Sequence, residues 1–127
     1  MTLARSRLGK LGEDLACREL ERRGYVILAR RWRRRQGEID IIARDGATLV
    51  FVEVKTRGGR AFGDAAEAVT VRKQWRLVQL AQLYLACERR FDCAYRFDVV
   101  SIQFDQATPV VTVFPHAFDA TDAARSL

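Results

Sequence analysis

The chain has 127 residues, 49% of them hydrophobic and 30% charged, a size and balance that fit one globular domain and exclude a disordered or membrane-embedded chain. Its 22 Lys and Arg against 16 Asp and Glu leave a net charge of +6, which favours a polyanionic partner, nucleic acid first. A single histidine, His116, and three cysteines without C-x-x-C spacing, Cys17, Cys87 and Cys93, supply neither a Ser-His-Asp triad nor a zinc cage nor a disulfide framework. Chemistry must come from carboxylates and lysine, and the thiols read as reduced core residues.

No stretch approaches the ~18 apolar residues of a membrane span, and Arg5, Arg7, Lys10, Glu13 and Asp14 stand where a signal peptide needs an apolar segment, so a cytoplasmic location is expected. From Leu3 to Arg23, Leu8, Leu11, Leu15 and Leu20 recur at near-helical spacing among charged residues, predicting an amphipathic helix that Gly24 ends. Tyr25 to Trp32 reads as a first strand leading into Arg33, Arg34 and Arg35. Ile39 to Ala43 and Thr48 to Thr56 flank Asp45-Gly46, a tight-turn dipeptide, and should pair antiparallel. The glycine-rich stretch from Gly58 to Gly63 predicts a mobile loop.

Thr70 can cap a second helix running to about Arg90, with Val71, Trp75, Val78 and Leu85 on a wide apolar face. Tyr95 to Phe104 and Val110 to Phe114 are two further strands, the first of them returning parallel to an earlier strand. The order α-β-β-β-α-β-β predicts an α/β fold, a mixed sheet of about five strands flanked by helices. The tail from His116 onward lacks an apolar stripe and is expected to be loosely held. The domain is placed at residues 1–118 and the tail at 119–127.

Side-chain alternation in the central hairpin places the charged groups. With Asp45 and Gly46 as the two turn residues, Asp40 lies diagonal to Glu53; lengthening the loop by two residues sets them directly opposite. Either register puts Glu38, Asp40, Glu53 and Lys55 on one face and Ile39, Ile41, Val50, Val52 and Val54 on the other. Leu49 to Val54 is almost continuously apolar, as in a strand buried on both sides, yet Glu53 sits within it. A buried carboxylate beside another needs compensation, from Lys55 or from a cation. Hard oxygen ligands suit Mg²⁺ or Mn²⁺, which can bind a phosphate oxygen and acidify a water, so phosphodiester hydrolysis follows.

Asp40 followed by Glu53-Val54-Lys55 resembles the PD-(D/E)XK motif of restriction-endonuclease-like nucleases. Gly12-Glu13, Gly37-Glu38-Ile39-Asp40-Ile41-Ile42, Phe51-Val52-Glu53-Val54-Lys55-Thr56-Arg57, Phe62-Gly63 and Phe97-Asp98-Val99-Val100 extend the likeness over most of the chain to the YraN family of uncharacterised bacterial proteins. That family is similar to Holliday junction resolvases, in which a helical Glu, a strand Asp and an E-x-K motif form the metal site. The resemblance implies a restriction-endonuclease-like fold, Glu13, Asp40, Glu53 and Lys55 as catalytic residues, and a metal held by Asp40, Glu53, Val54 and Glu13. It also implies branched or otherwise structured DNA as substrate, and a homodimer. Two departures are Ile39 in place of Pro before Asp40, and Arg31 where YraN-like sequences usually have Asn.

Arg30, Arg31, Arg33, Arg34 and Arg35 surround Trp32 just before the site and form a candidate phosphate track, with Arg57 and Arg60 adding to it. Trp32 can stack on a base or pack in the core. Lys73 can reach phosphate or serve as a surface charge. Asp98, an acid between apolar residues, is expected to make a structural hydrogen bond or salt bridge. Taken alone, Glu13 reads as a surface partner of Lys10. The readings that compete with a metal-dependent endonuclease are a non-catalytic nucleic-acid-binding module and a protein-interaction adaptor.

Overall fold

Two helices and five strands form among the residues described by the computed structural model, which are 3–57, 69–104 and 107–120, with side chains from residue 7 onward. In chain order they are α1 (Leu3–Arg22), β1 (Val26–Arg34), β2 (Gly37–Asp45), β3 (Thr48–Arg57), α2 (Val71–Cys87), β4 (Tyr95–Gln103) and β5 (Val110–Phe118). The strands form one sheet in the order β1-β2-β3-β4-β5. Only β3 and β4 run parallel, and the segment linking them carries α2, as a parallel crossover requires. The element order matches the sequence reading, and the α/β architecture of a mixed five-stranded sheet flanked by helices is consistent with the restriction-endonuclease-like fold.

Each sheet face carries its own apolar core. Ile42, Leu49, Phe51 and Phe97 pack against Leu77, Leu80, Tyr84 and neighbouring residues of α2. Ile41, Val50, Val52, Val100 and Ile102 pack on the opposite face, against Ala16, Cys17 and Leu20 of α1. β3 is shared by both cores, so Leu49 to Glu53 are all buried, the central-strand position expected from its apolar run.

The leucine stripe marks the buried face of α1 only in part, through Leu20 and the partly buried Leu15. Leu11 is 46% exposed, whereas Gly12, Glu13, Ala16, Cys17 and Leu20 turn inward. Small residues win here because the helix lies close against β3: a Cβ added at Gly12 would overlap the Thr56 hydroxyl and stand 3.2 Å from both Thr56 Cβ and Cγ2. Among the thiols, all free, only Cys17 is a core residue; Cys87 is exposed and Cys93 half-buried.

β5 runs through His116 to Phe118, beyond the point where a loose tail was expected to begin. Two contacts hold it. The His116 N–H donates to Asp98 Oδ1 at 2.9 Å, and Phe118 stacks on Phe97 at 4.8 Å between ring centroids. Asp98 itself is fully buried, and also accepts from Tyr25 Oη at 3.0 Å and Arg96 Nε at 3.0 Å. Arg96 continues to Asp45 Oδ2 at 3.0 Å. Asp98 therefore makes the structural bonds expected of a buried acid, and it ties the starts of β1 and β4 to the end of β2 and to β5. The glycine-rich loop and residues 121–127 of the tail lie outside the described residues, and no described helix is long and apolar enough to cross a membrane.

Candidate active site

The β2–β3 hairpin takes the register that sets Asp40 opposite Glu53, but not through a longer loop: the turn is still two residues, Gly46 and Ala47, one position later than expected. Gly46 takes φ 61°, the conformation glycine permits, and Asp45 pairs with Thr48, Arg44 with Leu49 and Ile41 with Val52. Continued by one residue, that ladder sets Asp40 opposite Glu53. Regular pairing ends at Ile41 and Val52, and the Val54 N–H donates to Asp40 Oδ2 at 2.8 Å. A carboxylate has thus taken the place of a main-chain partner where β2 parts from β3.

Side-chain alternation in β2 fails at this same point. Ile41 joins the α1-side core as parity requires, but Ile39 packs on the α2 side rather than sharing a face with Ile41. In the neighbouring strand Arg31 has φ 52°, in the left-handed region that disfavours most side chains. Asn tolerates that region better than most residues, which gives a backbone reason for the Asn that the resemblance leads one to expect there.

Glu53 is only 5% exposed, and its Oε1 meets Lys73 Nζ, from the first turn of α2, at 2.5 Å. Burial, and next the charge of Glu53, push the Asp40 carboxyl up to about 7, against the pull of the Val54 N–H and the Lys73 ammonium. Burial lowers the half-buried Lys55, and adjacent Lys73 lowers it further. Burial acts the same way on Lys73, yet hydrogen bonding to Glu53 and the charge of that group hold Lys73 above its ordinary value. Two carboxylates and two ammonium groups therefore share one small volume.

Glu13 is also buried, and it is held by arginines of β1 instead of Lys10. Its Oε1 lies 3.0 Å from Arg30 Nε and its Oε2 3.1 Å from Arg31 Nε, while Arg30 reaches Asp14 at 2.7 Å. A cleft of about 610 Å³ on the α1 side is lined by Lys10, Glu13, Arg31, Asp40, Val54 and Lys55, among others. A second cleft of about 230 Å³, on the α2 side, brings Asp40 and Glu53 together with Lys73 and Arg76. Asp40 borders both.

The two carboxylates fit a hard divalent cation in chemistry: they are anionic oxygen donors from adjacent strands, and burial together with the charge of Glu53 raises Asp40. Val54 shares the larger cleft and can add its main-chain oxygen. Glu13 stands on the wall of that cleft, gripped by its arginines. Among the described residues no three His, Cys, Asp or Glu side chains converge as a ready-made cage.

The basic residues are less uniform than the sequence suggests. Arg33 is paired with Glu38 at 2.7 Å, Arg34 covers the Trp32 ring at 4.0 Å, and Arg35 is exposed. Arg57 ends β3, and Arg60 lies outside the described residues. Trp32 packs edge-on against Tyr84 at 5.4 Å, which places it with the core and not on a base-stacking surface. The residue whose position the sequence reading missed is Lys73. Its only sequence signal is a cation in the first turn of a helix, where the macrodipole disfavours positive charge.

Residues 12–102 match the uncharacterised protein family UPF0102. The chain belongs to that family. UPF0102 proteins similar to it include one from Geobacter metallireducens, 48% identical over 119 residues that cover 94% of this chain and 98% of that protein. Another, from Frankia alni, is 49% identical over 107 residues, covering 84% of this chain and 89% of the relative. A third, from Symbiobacterium thermophilum, is 54% identical over 97 residues, covering 76% and 82%. The UPF0102 match spans Glu13, Asp40, Glu53, Lys55 and Lys73, so every residue of the proposed centre belongs to the family region.

Proposed function

We propose that this UPF0102 protein is a metal-dependent nuclease that hydrolyses phosphodiester bonds in DNA, with branched or otherwise structured DNA as its substrate class. The observation that carries this reading is the meeting of Asp40 and Glu53 at the point where β2 leaves β3, in the smaller cleft, with Lys55 lining the larger cleft that Asp40 also borders. Asp40, Glu53 and the Val54 carbonyl would hold Mg²⁺ or Mn²⁺, with Glu13 on the adjoining wall. The bound ion would supply Lewis acidity toward the phosphate and acidify a water.

The remaining roles fall to the chain's own groups. Lys55, its pKa lowered by burial and by Lys73, can orient a water and stabilise charge gathering on the phosphorus oxygens. Lys10, Arg31 and Arg33 line the same cleft and would hold flanking phosphates by charge, without sequence readout. A second reading, a nucleic-acid-binding module without hydrolysis, draws support from the engagement of Glu13 by two arginines and of Glu53 by Lys73.

Cleavage of linear, flapped and four-way DNA in Mg²⁺ or Mn²⁺ tests the proposal. Hydrolysis should disappear in Asp40→Asn and Lys55→Ala, with DNA retained by both variants in a salt-sensitive binding assay. Binding without cleavage under every metal condition would leave the non-catalytic reading, and equal activity in the variants would trace the cleavage to a contaminant.

A further inference from the structure

The ion pair between Lys73 and Glu53 lies inside the candidate metal centre, and it sits uneasily with the rest of the fold. Arg72 and Lys73 occupy the first turn of α2, which has no acidic residue. Cations there face the positive end of the helix dipole. Thr70 caps this helix by accepting from the Lys73 N–H at 3.2 Å, so the main chain of Lys73 is fixed while its side chain reaches across to β3. Its Nζ meets an oxygen of a carboxylate whose side chain is 6% exposed, while the Lys73 side chain itself is 37% exposed. The ammonium can therefore return to water, in the smaller cleft beside Arg76, without unfolding anything.

We propose that Lys73 is the resident counter-ion of Glu53, filling the place of the divalent cation in the metal-free protein and competing with it for the same carboxylate. This rests on reading Asp40 and Glu53 as metal ligands. Without any cation, Glu53 would be a buried charge beside a second carboxylate, the arrangement a folded chain tolerates least. Lys73 thus keeps the centre folded while it is empty, and metal uptake must break its bond to Glu53. A charge-assisted hydrogen bond to a buried carboxylate is among the stronger single contacts, so removing the competitor should tighten metal binding roughly 10- to 100-fold. A lysine with a merely structural role predicts the opposite sign, because its loss would loosen the site and weaken uptake.

Mn²⁺ binding to the full chain, measured by titration calorimetry and by the metal-induced shift in melting temperature, provides the test. Lys73→Met removes the ammonium at similar length, and Lys73→Gln keeps a hydrogen-bond donor without the charge should the Met variant fail to fold. Asp40→Asn reports whether the centre binds metal at all. Both Lys73 variants should melt lower than the natural protein in EDTA, bind Mn²⁺ more tightly, and gain more from it in melting temperature. Unchanged or weaker Mn²⁺ affinity in the Lys73 variants, with uptake intact in the natural protein and lost in Asp40→Asn, would overturn the competition while leaving the metal centre standing. No uptake by the natural protein, or equal uptake by Asp40→Asn, would overturn the metal centre and the competition with it.

Discussion

Replacing Asp40 by Asn should stabilise the metal-free protein at neutral and alkaline pH, although it removes a proposed metal ligand. The Asp40 carboxyl is raised from 3.8 to about 7 by burial and then by the charge of Glu53. A folded-state value above the unfolded one means that the contribution to stability is complete below 3.8 and is lost as pH climbs through about 7. The raised value spans roughly three units, or about 4 kcal/mol at about 1.36 kcal/mol per unit, and roughly two of those units, about 2–3 kcal/mol, fall between pH 5 and 8. Asn cannot ionise, and its side-chain oxygen can still accept the Val54 N–H that Asp40 accepts at 2.8 Å. Urea denaturation in EDTA at pH 5 and pH 8 should therefore show the variant gaining on the natural protein by about 2–3 kcal/mol at the higher pH, or roughly 5–15 °C in melting temperature for a domain of this size. A stability difference that is the same at both pH values would refute the claim that burial and Glu53 hold the Asp40 proton.

Substitutions at Gly12, Arg31 and Tyr25 probe the frame around the site. Gly12→Ala should destabilise by about 1–3 kcal/mol through overpacking against Thr56, and adding Thr56→Ala should recover part of that loss in a double-mutant cycle followed by urea denaturation. At Arg31, Gly should be more stable than Ala by about 1 kcal/mol, the reverse of ordinary strand behaviour, because both lose the contact with Glu13 but only Gly relieves the φ of 52°; thermal melts of the two variants decide it. Tyr25→Phe removes the hydroxyl shared by Asp98 and Arg96 and should cost about 1–2 kcal/mol by denaturant unfolding, with little change at the candidate centre.

The elements were legible in the sequence because their signals are local. Asp45-Gly46 announces the hairpin, Thr70 caps α2 as expected, and the apolar run of β3 reflects burial on two sides at once. The face of α1 was legible only at Leu15 and Leu20, since hydrophobicity selects leucines while the further constraint at Gly12 is how closely the helix approaches β3. Gly12, Ala16 and Cys17 turn inward along with Leu20, which buries Glu13 and leaves Leu11 in solvent. The partner of Glu53 was hidden for a different reason. Strand parity counts residues along one hairpin, whereas Lys73 arrives from a helix 20 positions beyond Glu53 in the chain.

Parity also assumes an unbroken ladder, and the candidate centre lies where the ladder breaks. Up to Ile41 and Val52 the β2–β3 pairing is regular; beyond it a side-chain carboxylate replaces the main-chain acceptor at Val54, Ile39 changes face, and Arg31 across the sheet turns left-handed. These irregularities share one cause. For Asp40 to border both clefts it must stand in the gap between two strands, and a strand cannot hold a residue there while keeping strict alternation on either side. The regular part of the hairpin fixes which residues meet, and its failure at one residue decides that Asp40 meets β3 through a side-chain oxygen on the Val54 N–H, not as another rung of the sheet.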